Sequence, residues 1–488
     1  MRILQACAEI FPLLKTGGLA DVAGALPPAL RALGADVRVL LPGFPAILAG
    51  LEDPAEVARL QPPPAMVGGQ GARLLYGRLP ACDVHAYVID APLYYDRDGG
   101  PYNDARHVPY DDNHLRFGLL SWVAAKLADG LDPHWGAQVV HAHDWHSALA
   151  PAYLRALEWA RGRRLSGSVY TVHNLAYQGF FPSQHFGALG LPAAYNQVHG
   201  LEFYGQISFM KGGLYFADRI TTVSPTYARE IQGAEQGCGL DGLLRDRDAD
   251  LSGILNGVDD AIWNPATDAL IQSHFEEDRL AGKSRCKMAL QRELGLDKEA
   301  RVPLICVVSR LTEQKGLHLV LEALPALIER GFQFGLLGSG DAGMEDAFRA
   351  LADRHPQSVA VRIGYDEGFA HRLIAGSDMI LVPSRFEPCG LTQLYGLKYG
   401  TLPVVRRVGG LVDTVNDTRL ETLDHDATGF VFDDFSATGL LGATHRAMAL
   451  YRRPADWRVV QRRAMLQPFG WAEAAQRYLK LYNEVATT

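Results

Sequence analysis

Three features of this chain predict an α/β class built from two doubly wound, parallel-sheet domains. Strand-length apolar runs alternate with helix-length amphipathic segments almost from end to end, the pattern of repeated βαβ units. The 488 residues exceed what one hydrophobic core ordinarily serves. The alternation breaks once, near Leu251, where SGILNGVDDAIWNPATD is rich in Asn, Asp, Gly and Pro and reads as a linker. The predicted division is therefore residues 1–251 and 252–467. A last amphipathic segment, 471–485, follows Pro468-Phe469-Gly470, and 468–488 is expected to cross back onto the first domain.

In the first domain, residues 1–10 form the opening strand, and DVRVLLPGF, CDVHAYVID, AQVVHAHDW, GSVYTVHN and RITTVSP read as the next ones. Helices are expected at 18–33, 112–127, 147–160 and 209–217. Between the first strand and the first helix stands Lys15-Thr-Gly-Gly-Leu-Ala-Asp21-Val. Gly17 and Gly18 sit where strand turns into helix, with the Lys15 cation just upstream. N–H groups at a helix start, glycines that permit close backbone approach and a nearby ammonium together suit a diphosphate. The motif is neither G-x-G-x-x-G nor a Walker A loop, which points away from a typical dehydrogenase or ATPase.

In the second domain VPLICVVSR, FQFGLLGSG, VAVRIGYD, DMILVPSR, LPVVRRVGG and GFVFDDF read as strands, with helices at 314–330, 344–355, 368–375 and 390–399. Two loops here carry the strongest constellation in the chain. One is Ser309-Arg310-Leu-Thr-Glu-Gln-Lys315-Gly316; the other is Arg385-Phe-Glu387-Pro-Cys389-Gly390-Leu391-Thr392. Both follow strands and lead into helices, so both belong at the ligand-facing edge of one sheet. Arg310 and Lys315 supply fixed positive charge, Gly390-Leu391-Thr392 supplies backbone N–H groups, and Glu387 supplies one carboxylate. Cations around a helix start suit a diphosphate leaving group, and a lone acid suits sugar hydroxyls. The plain structural reading is a surface Arg/Lys pair with Glu387 as its salt-bridge partner.

Bulk properties narrow the class. A net charge of −8 argues against nucleic acid as a partner, so an anionic ligand must be held by specific cations. Six scattered cysteines without a CxxC pair read as reduced thiols, and no apolar run reaches the ~18 residues of a membrane span. The N-terminus does not resemble a signal or transit peptide, and a cytoplasmic protein is expected.

K-T-G-G-L-A-D-V, T-V-H-N, S-R-L-T-x-Q-K-G, P-S-R-F-E-P-C-G-L-T and the G-G-L at 409–411 together resemble bacterial glycogen synthases, relatives of plant starch synthases. The resemblance is collinear from the first strand to the last helix. It implies a GT-B fold, two Rossmann-like domains facing a cleft, with the acceptor side first and the nucleotide-sugar side second. It implies a retaining glycosyltransferase that moves glucose from ADP-glucose to the non-reducing 4-OH end of glycogen or a maltooligosaccharide, with no metal and no cofactor. It implies that Arg310 and Lys315 neutralise charge on the departing diphosphate, with N–H groups at Gly17, Gly18, Leu391 and Thr392 and the Lys15 ammonium on the same phosphates.

Glu387 then binds glucosyl hydroxyls or stabilises the oxocarbenium-like centre. The wider GT-B group often carries a second Glu where this chain has Tyr395, which favours same-face transfer over double displacement. By the same resemblance His173 contacts the transferred glucose near its reacting carbon, Asp144 takes a sugar hydroxyl and Tyr365 stacks on adenine. Asp21, Asn174, Asn256, Cys389, Gly390 and, more weakly, Tyr95 are the remaining donor contacts. Each of four residues also has a purely structural reading: His173 as a strand cap, Tyr365 as an interface aromatic, Asn256 as a turn residue, Tyr95 as part of a polar loop.

Competing functions rest on other segments. Gly338-Ser-Gly340-Asp-Ala-Gly343 matches the dinucleotide fingerprint, but it follows the second strand of its domain, and no acid ends the next strand at the usual ~20 residues. His141-Ala-His143-Asp-Trp-His146 suggests a metal-dependent hydrolase using His141 and His143, yet later strand ends offer only His173. The basic tract at 161–164 reads as a solvated loop. A GT-B transferase using UDP-glucose or a different acceptor would carry much the same motifs. A non-catalytic glucan-binding protein would have no need to keep Arg310, Lys315 and Glu387 together. Oligomeric state is not legible.

Overall fold

The computed structural model describes residues 1–66 and 71–486; the last two positions of the expected return segment lie outside them. The chain forms two compact units, Met1–Gly257 with Trp471–Thr488, and Val258–Gly470.

Among the described residues the first unit's sheet runs in the order Leu251–Gly253, Arg219–Thr222, Gly167–Val172, Val139–His143, Arg2–Ala6, Asp36–Pro42, Val84–Asp90, Ala72–Leu79 and Glu52–Leu60. Pairing is parallel as far as Val84–Asp90, and the last two strands are antiparallel. Arg2–Ala6 lies between Asp36–Pro42 and Val139–His143, so crossovers leave it in opposite directions. That makes a switch point at the carboxyl ends of Arg2–Ala6 and Val139–His143. Period-two alternation sends Ile3, Val37 and Val139 to one face, against Val22 and Leu26 of the helix Gly18–Ala32 and Trp471, Tyr478 and Tyr482 of the helix Trp471–Val485. Leu4, Leu40 and Val140 take the other face with Phe117 and Leu120 of the helix Asn113–Ala128. With both faces covered, these strands read as unbroken apolar runs.

The second unit's sheet is parallel throughout its described strands: Val359–Ile363, Gln333–Gly338, Leu304–Val308, Met379–Val382, Leu402–Arg406, Phe430–Phe432. Its switch point falls between Leu304–Val308 and Met379–Val382, the two strands that lead into the Arg310/Lys315 and Glu387 loops.

Three differences from the sequence expectation matter most. The segment read as a linker is structural at both ends: Leu251–Gly253 is the edge strand beside Arg219–Thr222, and Trp263 and Asp268 are buried in the second unit. Trp263 stacks between His371 and Tyr395, with ring centroids 3.7 and 3.8 Å away, and Asp268 accepts from His371 Nδ1 and the Tyr399 hydroxyl. The antiparallel edge strands Glu52–Leu60 and Ala72–Leu79 are additional elements. The outer one is mostly exposed and carries Asp, Glu and Pro in place of an apolar run, so it has no strand signature. The helix Ala281–Glu293 is the third, and it hides its buried face behind lysines. Lys283 donates to Ala375 O and Thr401 Oγ1, and Lys287 to Asp378 Oδ2 at 2.6 Å. Burial pulls the Lys283 ammonium down to about 8.

Candidate active site

In the second unit Lys315 ends the turn Glu313–Lys315 after Leu304–Val308. Gly316 follows at φ +68°, and a Cβ there would lie 2.1 Å from Pro383 O, so only glycine lets this loop rest on the end of Met379–Val382. The loops are tied by Arg385 N donating to Gln314 O at 2.8 Å and by an Arg385–Glu313 ion pair. Lys315 Nζ then reaches Glu387 Oε2 at 2.6 Å, and Ser384 Oγ donates to the same oxygen at 2.7 Å. Glu387 is buried, while the Lys315 side chain keeps partial exposure. Arg310 is exposed on the same edge.

Gly390, Leu391 and Thr392 open the short helix Thr392–Lys398 beside these groups. Cys389 is buried, and its carbonyl accepts from Gln393 Nε2 at 3.0 Å. Tyr365 follows the edge strand Val359–Ile363 with 68% of its surface exposed, its hydroxyl on Glu367. The glycines of the fingerprint-like GSGDAG run make room for the Arg310 loop. A Cβ at Gly338 would meet Ser309 O at 1.9 Å, and one at Gly340 would meet Leu311 O at 2.3 Å. Backbone packing explains these two glycines.

In the first unit Lys15 pairs with Asp21 at 2.9 Å, and Gly17 and Gly18 begin the helix Gly18–Ala32. Glu9 organises this loop, although no motif in the chain marks it. Buried at the end of the first strand's run, it accepts from Thr16 N and Thr16 Oγ1, each at 2.5 Å, and from the Tyr102 hydroxyl. Tyr102 in turn stacks on His146, 4.5 Å between centroids. Asp144 follows Val139–His143 at φ +53°, an uncommon conformation that Asp tolerates better than most residues. Its Oδ1 accepts from His173 N at 2.7 Å and Asn174 N at 3.3 Å. Burial pushes its carboxyl up to about 7, against those two hydrogen bonds. His173 is held neutral, its imidazole pushed down to about 3 by burial.

Asn256 is buried, and its Oδ1 has no hydrogen-bond partner among the described residues. Tyr95 belongs to the core and not to a loop: it ends the helix Pro92–Tyr95 at 1% exposure, with its hydroxyl on Arg116 O. The hydrolase reading fails on geometry. Both His141 nitrogens are engaged, Nδ1 with the Tyr482 hydroxyl at 2.7 Å and Nε2 with Thr171 Oγ1 at 2.6 Å. Among the described residues no group of three His, Cys, Asp or Glu is placed to hold a metal.

Known proteins resemble this chain along its whole length. Residues 2–246 match the starch synthase catalytic domain family, and residues 292–459 match glycosyl transferases group 1. The chain is 83% identical to the glycogen synthase of Leptothrix cholodnii over 100% of both chains, and 60% identical to that of Variovorax paradoxus over 99% of each. The catalytic domain of starch synthase IV from Arabidopsis thaliana, solved with ADP and acarbose, superposes with a TM-score of 0.90 at 30% identity, covering 99% of both chains. Sucrose-phosphate synthase from Thermosynechococcus elongatus, at 16% identity over 99% and 98% of the two chains, shares the fold with a TM-score of 0.57. The chain belongs to the bacterial glycogen synthases, GT-B glycosyltransferases of the starch synthase family.

Proposed function

We propose that the chain elongates glycogen by transferring glucose from ADP-glucose to the 4-OH at the non-reducing end of an α-1,4-glucan, with retention of configuration, in the cytoplasm and without a metal. The observation that carries this reading is the Lys315–Glu387–Ser384 cluster at the second unit's switch point, in a chain of this family. Lys315 and Arg310 place cations where a diphosphate acquires charge as the glycosidic bond breaks, and Leu391 and Thr392 offer backbone N–H groups beside them. Preorganised donors of this kind usually lower such a barrier more than any other single effect. Glu387 uses Oε1 for a sugar hydroxyl while Oε2 stays with Lys315 and Ser384.

The first unit contributes Lys15, Gly17, Gly18 and Asp21 on the phosphate side, and Asp144, His173 and Asn174 on the glucose side. Asn256, with its buried and unmatched Oδ1, is a further donor contact, and the exposed Tyr365 ring lies against adenine. Tyr395 stacks flat on Trp263, so the place of a second glutamate is filled by a packed ring. That supports departure and attack on one face, assisted by the leaving phosphate, over a covalent glycosyl-enzyme.

The test is a steady-state assay with maltooligosaccharide and paired donors, read in chelator-treated protein. ADP release from ADP-glucose with lengthening of the glucan is the expected result. Turnover of UDP-glucose in preference, or activity lost to the chelator, overturns the reading.

A further inference from the structure

The HAHDWH segment contains a group that neither the transfer chemistry nor the rejected metal site accounts for. Val139–His143 and Gly167–Val172 are neighbouring parallel strands with His143 opposite Thr171. That register sets up two diagonal contacts one step apart on the same face: His141 Nε2 meets Thr171 Oγ1, and His143 Nδ1 meets His173 Nε2 at 3.0 Å. His143 is fully buried, its backbone N–H donates to Ser147 Oγ, and its ring lies 3.9 Å from that of His141. Its Nε2 is buried with no hydrogen-bond partner among the described residues.

We propose that His143 is a positioning residue: it donates from Nδ1–H to His173 Nε2 and so fixes His173 as the Nδ1–H tautomer, a hydrogen-bond donor toward the sugar and not a base. Proton placement decides it. A neutral imidazole has a single N–H, and both rings are kept neutral, since burial drives each well below the ordinary histidine range. If His143 carried its proton on Nε2, a buried N–H would be orphaned. Carried on Nδ1, the proton is shared with His173, and what remains at Nε2 is an unpaired acceptor, the less costly deficit. With Nε2 of His173 accepting, its own proton must sit on Nδ1. That atom can donate to a hydroxyl oxygen of the transferred glucose. It has no lone pair with which to take a proton.

This inference rests on the placement of His173 at the glucose, and its test separates the two. In full-length protein labelled with ¹⁵N-histidine, the His173 ring is identified by its disappearance in His173→Gln. Wild type is expected to show the Nδ1–H pattern. His143→Leu is expected to give a tautomer mixture and to lower kcat about tenfold, the scale of one lost hydrogen bond to a positioned group, with KM for ADP-glucose little changed. His143→Asn, whose amide can donate from the Nδ1 position, restores both. An Nε2–H pattern in wild type, or a His143→Leu spectrum unchanged at His173, overturns the proposal. The wild-type spectrum decides even if His143→Leu fails to fold. An undiminished kcat in His173→Ala would instead remove His173 from the glucose site and leave the tautomer assignment standing.

Discussion

Lys315 approaches Glu387 at 2.6 Å on one side and is partly open on the other, which suits an ammonium shared between a fixed acid and an arriving diphosphate. Lys315→Ala is expected to lower kcat by about 10²–10³, or roughly 3–4 kcal/mol of transition-state stabilisation. A melting curve close to wild type must accompany the loss, and near-normal kcat in such a folded variant removes Lys315 from the chemistry. Asp144 gives a prediction with a definite pH sign. Its folded-state carboxyl is raised to about 7 by burial, so the native protein binds this proton more tightly than the unfolded chain. Stability tied to the protonated form is complete below the ordinary carboxylate value and is lost progressively as pH rises toward 7. Asp144→Asn keeps an acceptor for His173 N and Asn174 N and tolerates the positive φ. It is expected to melt higher than wild type at pH 8, to match it near pH 4, and to transfer glucose more slowly. Equal melting differences at both pH values contradict this account. Among single residues, charges placed just after apolar strands are legible in the sequence: Lys15, Arg310, Lys315 and Glu387. Glu9 and His143 are not, because their work is to hold Thr16 and His173 through contacts that no spacing along the chain encodes.

At the scale of elements, the parallel strands are legible because both their faces are buried and their apolar runs are unbroken. Many helices with an apolar stripe are legible to within a few residues, Trp471–Val485 among them, but Ala437–Tyr451 and Pro454–Met465 carry such stripes and are not among those expected. Three of the hidden features share a cause, polar residues in buried or edge positions: Lys283 and Lys287 inside the helix Ala281–Glu293, the charged outer strand Glu52–Leu60, and Asp268 in the supposed linker. The loop–strand joint at Gly316 is where an element sets the site. Gly316→Ala would place a methyl 2.1 Å from Pro383 O and force alanine to φ +68°. The expected cost is about 2–4 kcal/mol, read from denaturant unfolding, with a drop in kcat because the Lys315 loop must lift from the strand end. A variant as stable as wild type would mean the loop moves aside without penalty.

Across the whole molecule the chain leaves the first unit at Gly257 and re-enters it at Trp471, so that unit is completed by the helix Trp471–Val485. Trp471, Ala474, Ala475, Tyr478, Leu481 and Tyr482 recur at helical spacing and are buried with Ile3, Val22, Val37 and Val139. The helix is also tied by Arg477 Nη2 to Gly253 O at 3.0 Å and by the Tyr482 hydroxyl to His141 Nδ1 at 2.7 Å. Ending the chain at Gly470 would strip part of one face of the first sheet and leave His141 without that partner. The truncated chain is expected to lose the folding transition of the first unit and to aggregate. Tyr482→Phe keeps the packing and removes only the hydroxyl, so its expected cost is about 1–3 kcal/mol, the penalty of a buried ring nitrogen left unmatched. Calorimetry distinguishes the cases: a truncated protein melting like the full chain would show that the helix merely decorates the sheet. A Tyr482→Phe variant indistinguishable from wild type would show that the His141 bond contributes nothing to holding the helix in place.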